Sequence, residues 1–122
     1  MQLRTGIDLI EIARIEEVIR RHGLRYLERI YTAAELAQSH RQAEYLSGRF
    51  AAKEAVAKAL GTGIGEVGWK EIEVLGDEQH APILRLTGAA EQKADALGLS
   101  VWSVSITHTA GNALALAVAI KP

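Results

Sequence analysis

LSGRFAAKEAVAKALGTGIG, the stretch from Leu46 to Gly65, decides how the rest of this 122-residue chain must fold. On an α-helix, at 100° per residue, it has three faces. Leu46, Phe50 and Ala57, with Val56 and Leu60 beside them, make a core-facing stripe. Gly48, Ala51, Ala52, Ala55 and Ala59 make a second stripe of very small side chains, against which another backbone can approach closely. Ser47, Glu54 and Lys58 lie between the stripes on one side, while Arg49 and Lys53 border the core stripe on the other. A helix apolar over most of its circumference is buried. A charge carried on such a helix costs on the order of several kcal/mol unless something pairs with it.

Two explanations of those charges stand side by side. Glu54 and Lys58 are spaced for an i,i+4 ion pair with the acid first, and Arg49 and Lys53 can snorkel to water. Alternatively, the helix presents a site for phosphate and metal. Gly61, Gly63 and Gly65 follow the helix directly, so its end runs into a loop whose backbone can come close to a ligand. It is not a Walker loop, because GxxxxGK[ST] is absent and the lysines precede the glycines.

Apolar residues make up 48% of the chain and charged ones 24%, as in an ordinary globular protein, and the length suits one domain with a real core. The formal net charge of −1 gives no ground for a nucleic-acid or membrane partner. Residues 1–60 carry ten Lys/Arg against eight Asp/Glu, the remainder four against seven. Arg20, Arg21, Arg25 and Arg29 crowd one segment, which either receives an acidic partner or is a solvated helix face. Cysteine is absent, which excludes disulfides and thiolate chemistry and suits a reducing compartment. With no signal-peptide h-region and no apolar run of membrane-spanning length, a cytoplasmic protein is expected.

Along the chain, Leu3 to Leu9 predicts a strand carrying Asp8, and from Ile10 the period becomes helical through Ile12, Ile15 and Ile19 to Gly23. Asp8 then suits an N-cap or first-turn acid. Leu24–Ile30 and Ala33–Gln38 read as short helices, the second with a capping box from Thr32 and Glu35. After Gly65 the period falls to two. Trp69–Leu75 and Pro82–Leu86 make a hairpin, Thr87 caps a helix ending at Gly98, and Val101–His108 and a final strand of alternating alanines follow. The predicted class is α+β: a single domain with a largely antiparallel sheet packed on the long central helix and shorter helices.

Ser105, Thr107, His108 and Thr109 together offer donors for phosphate oxygens. A serine hydrolase is disfavoured, since Ser105 lacks a GxSxG elbow. Zinc is disfavoured too, because His22, His40, His80 and His108 show no ligand spacing. Oxygen ligands beside phosphates favour magnesium held by one or two carboxylates, and Asp8 and Glu54 are the carboxylates in place.

GIDLIEIARIE at Gly6–Glu16, GRFAAKEAVAKALGTGIG at Gly48–Gly65 and SITHTAGNALALAV at Ser105–Val118 resemble the three motif blocks of the holo-[acyl-carrier-protein] synthase family, the small bacterial phosphopantetheinyl transferases. The resemblance covers nearly the whole chain, and the middle block is the specific one. It implies transfer of the phosphopantetheine arm of coenzyme A to a serine of apo-acyl carrier protein, with release of adenosine 3′,5′-bisphosphate. By matching position, Asp8 and Glu54 would bind Mg2+, with Lys58 near the reacting phosphates, and Arg49 and Lys53 would neutralise coenzyme phosphates. Gly61, Gly63 and Gly65 would let the chain pass close to the nucleotide. Pro82, Ser105, His108 and Thr109 would line the adenosine and its 3′-phosphate from a neighbouring subunit of a homotrimer. Arg14 would dock the carrier protein, with Arg21, Arg25 and Tyr26 as further candidates. One departure is Gln79-His80-Ala81-Pro82, where the family often has an Asn-Gly-like turn. A non-catalytic nucleotide-binding module and a metal-dependent phosphohydrolase are the alternatives.

Overall fold

Helix α4, Ala43–Leu60, runs through the middle of the computed structural model, which describes residues 1–122. Eleven of its 18 residues are buried, as a helix apolar nearly all round requires. Strands β1 (Gln2–Glu11), β4 (Val101–His108) and β5 (Asn112–Lys121) form an antiparallel sheet in the order β1-β5-β4, whose inner face lies on α4. The predicted stripe of small side chains is where this happens. A Cβ placed on Gly6 of β1 would overlap the Ala55 carbonyl, so strand and helix meet backbone to backbone. Ala113, Ala115, Ala117 and Ala119 of β5 are fully buried on the same inner face.

The alternating alanines of the last strand suit close packing between subunits, an expectation that this arrangement corrects. The alanine side of the last strand packs against α4 and is not available for contact between subunits. Leu114, Leu116, Val118 and Ile120 point the other way, in register with Leu9, Ile7, Thr5 and Leu3 of β1. The outer face of the sheet is therefore apolar, with Leu3, Ile7, Leu9, Val101 and Leu116 exposed.

On the other sides of α4 lie α1 (Ile12–His22), α5 (Gly88–Leu97) and the hairpin of β2 (Ile72–Gly76) and β3 (Pro82–Leu86). The short helices α2 (Leu24–Ile30) and α3 (Ala33–Ser39) connect α1 to α4. No helix is long and apolar enough to cross a membrane. Helix α1 starts two residues later than its apolar period suggests, because Leu9 and Ile10 stay paired with Leu114 and Ala113. Asp8 is thus inside a strand, opposite Ala115, and caps nothing; the N-cap position belongs to Glu11. The Thr32–Glu35 capping box forms as predicted. Trp69–Glu71 is a single 3-10 turn instead of the start of a strand. Thr87 makes no side-chain cap for α5; the Glu71 carboxylate takes the Ala89 N–H at 2.8 Å instead.

Candidate active site

Strand β1 crosses α4 so that Asp8 and Glu54, far apart in the chain, line one cavity of about 570 Å³. Leu9, Ile10, Ile15, Val18, Ile30, Phe50 and Trp69 make its apolar wall, and Arg14, Tyr26 and Arg29 its polar side. Phe50 belongs to this wall more than to the core: it is half-buried, and its ring stacks on Trp69 with centroids 4.8 Å apart. Tyr26 donates to or accepts from the Tyr31 hydroxyl at 3.2 Å, and burial pushes its phenol above the ordinary range.

The intrahelical Glu54–Lys58 pair does not form. Lys58 reaches across to β1, where its ammonium donates to the Ile7 carbonyl at 2.7 Å and sits 3.4 Å from Asp8 Oδ1. Glu54 is left without any hydrogen bond or ion pair. Burial, and then the charge of Asp8, hold its carboxyl above the usual range, against a smaller opposing pull from Lys58. Two neighbouring carboxylates, one of them unpartnered, are a donor set that fits a hard divalent cation completed by substrate oxygens. No group of three or more His, Cys, Asp or Glu gathers to hold an ion by itself.

A second cavity of about 560 Å³ opens on the other side of Glu54 and Trp69, lined also by Arg29, Ile64, Gly65, Val67 and Gly68. Of the three glycines after α4, only Gly65, at φ +125°, borders it. Gly61 instead ends the helix in the left-handed conformation, φ +77°, and Gly63 faces open space.

Arg49, Pro82 and His108 lie elsewhere, around a third cavity of about 550 Å³ that shares no residue with the other two. Arg49 stacks over the Tyr45 ring at 3.9 Å and donates through Nε to the Val74 carbonyl at 3.2 Å. His80, from the turn that departs from the family pattern, lines the same cavity at φ +63°. His108 pairs with Glu44. The expected group of donors along β4 divides: strand alternation sends Ser105 and Thr107 to the outer face, in register with Leu116 and Leu114, while His108 faces inward with Ala113. Thr109 turns its hydroxyl onto the Asn112 N–H at 3.3 Å and shapes the β4–β5 turn.

Lys53 needs a correction. It is fully buried and cannot neutralise a coenzyme phosphate. Its ammonium spends all three donors internally, on Glu35 Oε1 at 2.8 Å, the Trp69 carbonyl at 3.0 Å and the Ile72 carbonyl at 2.5 Å. Burial lowers its pKa, against the raising effect of Glu35. Arg21 and Arg25 line neither cavity; Arg21 is exposed and 3.3 Å from Glu17. The sequence brings out Arg29 only as one of a basic cluster and Trp69 only as the start of a strand, and neither as a site residue. The spacing of Tyr26, Arg29 and Ile30, at i, i+3 and i+4, was the available signal that Arg29 stands on the cavity side of α2.

Residues 4–119 match the family described as the 4′-phosphopantetheinyl transferase superfamily, ACPS. The chain is 47% identical to the holo-[acyl-carrier-protein] synthase of Herpetosiphon aurantiacus, over 95% of this chain and 97% of that one. Its fold superposes on the Helicobacter pylori holo-[acyl-carrier-protein] synthase in complex with coenzyme A with a TM-score of 0.87 and 35% identity, covering 95% of this chain and 99% of the other. A Bacillus anthracis synthase in complex with CoA (3′,5′-ADP) gives 0.78 and 37%, covering 95% and 94%.

Proposed function

The chain belongs to the holo-[acyl-carrier-protein] synthases of the 4′-phosphopantetheinyl transferase superfamily, and on that premise we propose how its residues divide the work of the reaction. It transfers the 4′-phosphopantetheine arm of coenzyme A to apo-acyl carrier protein. The residue assignments are our own reading, and the observation that carries them is the meeting of Asp8 and Glu54 in one cavity beside Lys58. These two carboxylates hold Mg2+, which when bound supplies charge neutralisation at the pyrophosphate of coenzyme A. Lys58, anchored on β1, adds a fixed cation beside it. Phosphoryl transfer asks mainly for such positioning and neutralisation.

Arg14 and Tyr26, on the wall of the Asp8–Glu54 cavity, meet the acidic carrier protein, with Arg21 and Arg25 steering it from the exposed side of α1 and α2. Arg49, Pro82 and His108 take the adenosine end of coenzyme A, and Gly65 lets the backbone near it. In one copy of the chain Arg49, Pro82 and His108 surround a different cavity from Asp8 and Glu54, whereas Gly65 borders the second cavity beside Glu54. A homotrimer, in which one subunit supplies the carboxylates and its neighbour the third cavity, joins the two halves. The exposed apolar outer face of the sheet supports this assembly. Ser105 lies on that face, in register with Leu116, so it too can face a neighbour. The chain works as one transferase domain. The same reading places it in the cytoplasm, supported by a cysteine-free composition that suits a reducing compartment.

Incubation with Mg2+, coenzyme A and apo-carrier protein should add a phosphopantetheine mass to the carrier. EDTA should stop the transfer, and excess Mg2+ should restore it. Transfer undiminished in EDTA would overturn the metal assignment, and release of adenosine 3′,5′-bisphosphate without any carrier would mark a hydrolase.

A further inference from the structure

Three residues alone border both the first and the second cavity: Arg29, Glu54 and Trp69. Glu54 has a role above, and Trp69 is a wall. Arg29 has no assignment. It stands on α2, exposed at the shared rim, and its guanidinium makes no hydrogen bond or ion pair with any protein group.

We propose that Arg29 is a further catalytic residue, which grips oxygens of the phosphoryl group in transit. This rests on the transferase reading. In the reaction the carrier's serine oxygen forms a bond to the phosphorus that bears pantetheine. The bridging P–O bond breaks, its electron pair leaves with adenosine 3′,5′-bisphosphate, and the hydroxyl proton is released to water. Negative charge spreads over the oxygens of the moving group and grows on the leaving one, which is where a fixed cation is worth most. Lys53 is buried and saturated, and Lys58 is already engaged by Ile7 and Asp8. Arg29 keeps a whole planar fork of donors free, a shape that suits two phosphate oxygens at once. Its position also separates it from the docking arginines: Arg21 and Arg25, from the same basic segment, line neither cavity, and Arg14 lines the first alone, whereas Arg29 borders both.

The test is steady-state transfer by the full chain with Mg2+, varying coenzyme A and apo-carrier protein separately, for wild type, R29A and R29K. R29A should lower kcat by about 10²-fold with the KM for the carrier changed less than about threefold, and R29K should recover only part because it lacks the fork. Unaltered kcat with a raised carrier KM would make Arg29 a docking residue and overturn the proposal, as would no change at all. Thermal stabilisation by coenzyme A with Mg2+ gives a readout independent of turnover. If wild type transferred nothing yet R29A lost that stabilisation, the transferase reading would fall and the phosphate contact would stand. Equal stabilisation of wild type and R29A, together with equal kcat, would remove it.

Discussion

Glu54 is a carboxylate that the fold desolvates and then leaves without a partner, and this fixes how it should behave without metal. Its carboxyl is held above the ordinary value of 4.5 by burial and by Asp8. The native chain therefore binds more protons than the unfolded one through that range, so its stability falls as pH rises through the unfolded and then the folded value. E54Q removes the charge. In EDTA it should melt higher than wild type at pH 7, and the advantage should disappear below about pH 4.5, the ordinary carboxyl value. The same variant should lose transfer by at least about 10²-fold, so stability and activity move in opposite directions. Lys53 should show the reverse pattern. K53M strands Glu35 in the core, where losing one partner of a buried pair costs about 3–5 kcal/mol. Urea unfolding should register that loss, and adding E35Q should return part of it. The KM for coenzyme A should stay within about twofold for the folded protein, because Lys53 holds the backbone of Trp69 and Ile72 and touches no ligand.

Elements whose limits are set by neighbouring residues were legible in the sequence. The Thr32–Glu35 capping box, the glycines that end α1 and α5, and the alternation of β4 all formed where the local chemistry put them. The misread elements are those fixed by distant side chains. Trp69–Glu71 looks like a strand by its pattern. However, Lys53 takes the Trp69 carbonyl, and Glu71 folds back onto the Gly68 N–H at 2.5 Å while its other oxygen holds Ala89. No period of two or 3.6 encodes such ties. The packing of β1 on α4 lies between the two cases: the small stripe announced that a backbone would come close, without saying which one. G6A tests that contact. Its methyl group would meet the Ala55 carbonyl and the Ala59 nitrogen, both backbone atoms that cannot swing away. The variant should lose about 3 kcal/mol or more in denaturant unfolding. Because Asp8 and Lys58 straddle the same contact, activity should fall further than the remaining folded fraction explains.

At the level of the whole molecule, Asp8 and Glu54 line one cavity, and Arg49, Pro82 and His108 line another that shares no residue with it. Asp8 and Glu54 were paired from sequence by the chemistry of oxygen ligands and by the family resemblance, while nothing in their spacing says that β1 will cross α4 at that point. The separation of this pair from His108 was implied only by the resemblance, which puts His108 on a neighbouring subunit; no residue spacing announces it, because it depends on which face of the sheet each strand presents. If neighbouring copies join through the apolar outer face, with its exposed Leu3, Ile7, Leu9 and Leu116, every working site draws Glu54 from one subunit and His108 from the next. This can be tested with two dead proteins. E54Q spoils the metal half and H108A the nucleotide half, so each alone should be nearly inactive. After dissociation and reassembly as an equal mixture, a site works only where the Glu54 half comes from an H108A subunit and the His108 half from an E54Q subunit. In a closed ring with random assortment, that is about a quarter of the sites. Activity near a quarter of wild type, appearing only after the subunits have been allowed to exchange, would establish the shared site. A mixture as inactive as its components would place both halves in the same chain. L116D should then separate the cases further: a charge on the outer face should yield monomers in sedimentation and abolish transfer, while the melting of the single domain, whose core lies on the opposite side of the sheet, should change little.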